Sequence, residues 1–261
     1  MTDRSALTQS RRFGVRQIPL LRPLAWLALG WRDLVRCPLP GLLHGLALAL
    51  FGGALLWSAG DRFWLLSGAF TGFLLVAPVL ATGLYAVSGA LAQGQPANLG
   101  VAVAAWRPER RLVLFGLLLA LAGTGWVLTS ASLITGFAPA PVRTPWDFVR
   151  VVVLNPQSHL FEVWLALGAV LAAPVFASSV VAIPLLQDRP ISVLAAVLTS
   201  WRVVQTHPLP MALWAALLMG LTVLGMASAL LGLVVIAPWL AHASWHAYRD
   251  LVSLTGPADL A

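Results

Sequence analysis

Long apolar runs alternate with short charged breaks along this chain. Leu42 to Ala59 is apolar and ends at Gly60-Asp61-Arg62, and Phe63 to Ala92 then carries no charge. Arg107, Glu109, Arg110 and Arg111 close the next break, and Leu112 to Phe137 follows. Val163 to Leu186 is a fourth run, ended by Gln187-Asp188-Arg189-Pro190. Leu209 to Ala247 holds no Asp, Glu or Arg. A helix rises about 1.5 Å per residue and a bilayer core is about 30 Å thick, so each of the first four runs is long enough to cross. As a single helix the last run would reach about 59 Å, too long for one crossing. It is expected to fold back near Met226-Ala227-Ser228-Ala229, which makes six crossings. Residues 138–162 are the long break, with Pro139, Pro141, Pro145 and Pro156.

Three short stretches read almost alike: Ala77-Pro78-Val79-Leu80-Ala81, Ala173-Pro174-Val175-Phe176-Ala177 and Ala237-Pro238-Trp239-Leu240-Ala241. Trp31-Arg32 precedes the first, while Trp106-Arg107 and Trp201-Arg202 follow the first and second. Pro23 to Arg36 and Ile191 to Val204 place apolar side chains at roughly helical spacing, the pattern of an amphipathic helix at a membrane surface or packed on neighbouring loops. The predicted fold is all-α and polytopic, with six transmembrane helices in three pseudo-repeated hairpins and interfacial amphipathic helices. The transmembrane domain is expected over 23–254, with repeats at about 23–95, 96–189 and 190–250. Residues 1–22 are expected as a disordered basic tail, and 255–261 as a C-terminal tail. Pro78, Pro174 and Pro238 would free the carbonyls of Leu74, Val170 and Val234. Two compatible readings follow: kinks around a central cavity, or close helix packing.

Composition agrees with the pattern. The 261 residues are 59% hydrophobic and 10% charged, against about 25% charged in soluble domains. All sixteen basic residues are Arg. They flank apolar runs and form no long basic block, which argues against nucleic acid. Thirteen lie in the termini and the breaks on the same side; Arg62, Arg143 and Arg150 lie on the other. The positive-inside rule then puts both termini in the cytoplasm. Ser10-Arg11-Arg12-Phe13 has the form of a twin-arginine signal, but no short apolar region with a cleavage site follows closely. Cys37 is the single cysteine and excludes an internal disulfide.

Candidate chemistry is sparse. No phosphate-binding Gly loop and no paired carboxylates occur. Trp31, Trp106 and Trp201 suit the headgroup level, and Arg32, Arg107 and Arg202 are candidate donors to lipid phosphate. His242 and His246 are four apart and share a helix face, with His44 and His207 expected on the same membrane side. Such a set suggests a metal or haem site, or ordinary interfacial anchoring.

The run Ala241-His242-Ala243-Ser244-Trp245-His246-Ala247-Tyr248-Arg249-Asp250 resembles the C-terminal signature of an uncharacterised bacterial integral-membrane family, domain of unknown function 2189. Arg22-Pro23, Gly30 to Leu34, Ala77-Pro78, Gly83 to Tyr85, Asp188-Arg189 and Ser200 also look like it. The resemblance implies a multi-pass inner-membrane protein and supplies no activity. Three functions remain open: a non-enzymatic protein binding lipid or a partner, a metal- or haem-binding protein assisting a respiratory complex, and a passive carrier of a small solute.

Overall fold

A computed structural model describes residues 3–59, 62–69, 71, 81–106 and 109–254. Among these residues twelve α-helices follow in chain order. They are α1 (Asp3–Arg11), α2 (Arg22–Arg36), α3 (Pro38–Ala59), α4 (Thr82–Ala92), α5 (Leu99–Ala104) and α6 (Arg110–Phe137). Then come α7 (Pro145–Phe148), α8 (Leu160–Ser179), α9 (Ala182–Asp188), α10 (Val193–Thr206), α11 (Pro208–Ala227) and α12 (Leu233–Leu251). Among the described residues, four stretches are long and apolar enough to cross a membrane: Pro38–Ser58, Arg110–Phe137, Leu160–Asp188 and Pro208–Ala227. Much of the expected second crossing, with Leu74 and Pro78, lies outside the described residues, as does Arg107.

The chain forms two compact units. The first comprises Met1–Ala49, Pro78–Phe115 and Phe176–Ala261. Its hub is α12, which packs against α2, α4, α9 and α11. One face of α2 places Trp26, Leu27, Gly30 and Leu34 in this core. Each of the large side chains contributes about 1.5–3 kcal/mol by leaving water. Glycine sets the spacing at two crossings. A Cβ on Gly30 would lie 2.5 Å from the Ala243 backbone nitrogen. A Cβ on Gly45 would run into the Val234 carbonyl, the group freed by Pro238.

The fold-back between α11 and α12 falls at Ser228–Gly232, overlapping the end of the expected turn at Met226–Ala229. Ser228 Oγ donates to the Gly225 carbonyl at 2.8 Å and accepts from the Gly232 N–H at 2.8 Å. Ala229 and Leu230 take φ of 53° and 69° to turn the chain. These are left-handed values that non-glycine residues rarely adopt.

Two features correct the sequence reading. Residues 1–22 are not a disordered tail throughout. Asp3–Arg11 is helical, and Phe13–Val15 pairs antiparallel with β2, Val252–Leu254, as strand β1. The fold therefore adds a two-stranded ribbon to the helices. Three-residue strands paired across the whole chain leave too little periodicity to recognise. The segment is tied down further by Ser10 Oγ against Thr199 Oγ1 at 2.9 Å.

The second unit comprises Leu50–Ala77 and Gly116–Val175. The break at 138–162 is structured. Thr144 and Asp147 form a reciprocal cap on α7, and a π-helical turn over Val149–Val153 follows. Ile134, Val142, Val152 and Leu160 form its buried cluster, with Phe63, Trp64, Phe148 and Trp164 packed around them. Trp164 Nε1 donates to Ser130 Oγ at 2.7 Å.

Candidate functional site

The C-terminal signature forms the polar side of α12. His246 Nε2 donates to Asp33 Oδ2 on α2 at 2.7 Å. One turn earlier, His242 Nδ1 lies 2.7 Å from Ser88 Oγ on α4. Ser88 also hydrogen-bonds the Asp33 carboxyl. A carboxylate only accepts, so the Ser88 hydroxyl donates to it and its oxygen accepts from His242 Nδ1–H. His242 Nε2 is buried and has no hydrogen-bond partner among the described residues. Asp33 is 3% exposed, and Ser88 and His242 are 0% exposed.

A second tier lies nearer the end of α12. Tyr248 Oη donates to Asp188 Oδ2 at 2.6 Å, and Arg189 Nε reaches the same oxygen at 3.1 Å. Arg22 Nε pairs with Asp250 Oδ2 at 2.6 Å, and Trp26 Nε1 donates to it at 2.9 Å. The Arg22 guanidinium is stabilised further in its charged form by that hydrogen bond and charge. Trp245 stacks on Tyr85 and lies over Gly89. Helices α2, α4 and α9 are thus each joined to α12 by side chains of one ten-residue run.

Burial pushes the Asp33 carboxyl up, but the hydrogen bonds from His246 and Ser88 and the nearby imidazoles outweigh it and hold it below the usual range. A carboxyl depressed in the folded state stabilises fully above its unfolded value of about 3.9 and loses that contribution as pH falls through its folded value. The melting temperature is therefore expected to drop as pH falls below about 4. Asp33→Asn should flatten part of that acid slope, and an unchanged slope would remove Asp33 as its source.

The four candidate histidines have separate neighbours. His246 engages Asp33, His242 engages Ser88, and buried His207 Nε2 lies 2.9 Å from the Arg16 carbonyl. His44 lies against Trp106, with ring centroids 5.0 Å apart. Among the described residues, no three His, Cys, Asp or Glu side chains are placed to hold one ion. The shared face of His242 and His246 was legible from their spacing. What spacing could not show is that each buried imidazole finds its hydrogen-bond partner on another element. Ser88 was not singled out in the sequence, since one serine in an apolar run carries no pattern.

The three Trp-Arg pairs also diverge. Trp31 is 47% exposed and Arg32 is exposed. Trp106 is exposed as well. Trp201 Nε1 instead donates to Ser178 Oγ at 2.9 Å. Arg202, expected at lipid phosphate, donates from Nη1 to the carbonyls of Ser10 at 3.0 Å and Phe13 at 3.2 Å. It anchors the N-terminal segment, whose carbonyls need donors. Pro174 is exposed inside α8, whereas Pro238 is buried inside α12.

Residues 65–188 match a family described as a predicted integral membrane protein, domain of unknown function 2189. No curated protein and no solved structure matches the chain.

Proposed function

Taking that membrane family as the premise, we propose a non-enzymatic, six-span membrane protein whose α2 binds anionic lipid at the cytoplasmic surface of a bacterial inner membrane. The observation that carries this is the two-sided character of α2. Its inner face is held on α12 through Asp33 and Trp26. Its outer face exposes Leu24, Trp31 and Val35, with Arg32 and Arg36 among them. The helix runs through Cys37 directly into α3, an apolar stretch of crossing length. Apolar side chains entering the headgroup layer with Arg at phosphate depth are the physics of an interfacial helix.

The excess of Arg at the termini supports cytoplasmic ends, and the repeated Ala-Pro stretches support three hairpins in one orientation. The non-enzymatic reading rests on the sparse chemistry of the sequence, and the Ser88–His242 pair is fully buried.

The test is lipid dependence of the purified full-length protein in mild detergent. Added phosphatidylglycerol should raise the melting temperature of the wild type. Arg32→Gln with Arg36→Gln should remove most of that rise, at about 1 kcal/mol per Arg. An equal rise in the double variant would overturn the assignment.

A further inference from the structure

The second unit holds a pocket of about 580 Å³ on which the surface role of α2 has no bearing. That size lies within the range of about 300–1,000 Å³ of small-ligand sites. It is lined by Arg62, Phe63, Trp64, Ile134, Pro141 and Arg143, among others. Ile134 belongs to the buried apolar cluster, and Phe63 and Trp64 pack on it. The walls are therefore firm and apolar. The Phe63 N–H donates to the Arg143 carbonyl at 2.9 Å, which holds the chain at Arg62 beside that at Arg143.

Neither guanidinium has an acidic partner among the described residues. Of the two acids in 138–162, Glu162 lies 3.7 Å from His159, and Asp147 Oδ2 accepts the N–H groups of Arg143 and Thr144 and so caps α7. Asp61 lies outside the described residues. The C-terminal end of α6 adjoins the pocket with roughly half a negative charge, fading within its last turn. Two full positive charges exceed it. Only Arg62, Arg143 and Arg150 fall on the Arg-poor side of the sequence, and two of the three line this one pocket.

An open, mainly apolar pocket carrying two guanidiniums with no acidic partner among the described residues, at the end of a helix of crossing length, suits a ligand with an anionic head and an acyl tail. We propose that this pocket binds one anionic phospholipid. Arg62 and Arg143 take the phosphate through charge-assisted hydrogen bonds, and the chain lies along Phe63, Trp64 and Ile134. The site is independent of the lipid surface on α2.

The experiment is native mass spectrometry of the full-length protein with phosphatidylglycerol, phosphatidylcholine or inorganic phosphate. The wild type should hold one phosphatidylglycerol with at least tenfold preference over phosphatidylcholine. Arg62→Gln with Arg143→Gln should lose that preference while its melting temperature stays unchanged. Ala140→Trp keeps both Arg but narrows the pocket, and it should also lose the bound lipid. Arg32→Gln with Arg36→Gln should keep it, which separates this site from α2. Equal binding of the two lipids, retention by the Arg62/Arg143 variant, or full competition by inorganic phosphate would overturn the proposal.

Discussion

Asp33→Leu is expected to destabilise the protein by about 3–5 kcal/mol, the cost of removing one member of a buried charged network. The carboxylate accepts from His246 and from Ser88. Without it, His246 Nε2–H and the Ser88 hydroxyl lose their acceptor in a core where Ser88 is 0% exposed. The measurement is thermal unfolding in detergent. A loss of this size corresponds to roughly 10 °C for a chain of this length. Asp33→Asn keeps one acceptor oxygen and should lose less. A double-mutant cycle with His246→Leu should show coupling of about 0.5–3 kcal/mol, since the pair is in contact. If Asp33→Leu melts within about 2 °C of the wild type, the network is not what holds α2 to α12.

Gly45→Val and Gly30→Val should each cost about 3 kcal/mol or more, at the upper end of overpacking changes. The added Cβ would meet main-chain atoms of α12, at Val234 and at Ala243. A flexible side chain could swing away, but a helix backbone can only separate. Gly125→Ala and Gly220→Ala supply the contrast, because nothing lies within 4 Å of a Cβ at either position. Those two should be neutral or gain about 0.5–1 kcal/mol, since alanine suits a helix interior better than glycine. Equal loss at all four positions would mean that close helix approach is not the cause.

The helical segments were legible because a bilayer imposes a local rule: a crossing needs about twenty consecutive apolar residues. The run Leu112 to Phe137 became α6, Arg110–Phe137, and the fold-back near Met226–Ala229 fell next to its observed place. Less of the candidate site was legible. Arg202 and Arg32 sit in the same Trp-Arg dipeptide, yet one anchors the carbonyls of Ser10 and Phe13 while the other is exposed. Their local sequences do not differ in any way that predicts this. Spacing likewise could not foresee that β1 pairs with β2 at the far end of the chain.

By itself the sequence determined which segments are apolar helices and which side chains share a face. Tryptophan and Arg also mark the ends of those helices in the sequence alone. The four-residue spacing of His242 and His246 places both on one side of α12 wherever that helix forms. Only the tertiary structure decided what that side meets: Ser88 for one and Asp33 for the other, separated by 154 and 213 positions. The physical reason is that periodicity is a property of the isolated helix. A buried imidazole must instead find a partner on whichever helix packs against it. That choice follows from close approach at Gly30 and Gly45, which no local pattern encodes.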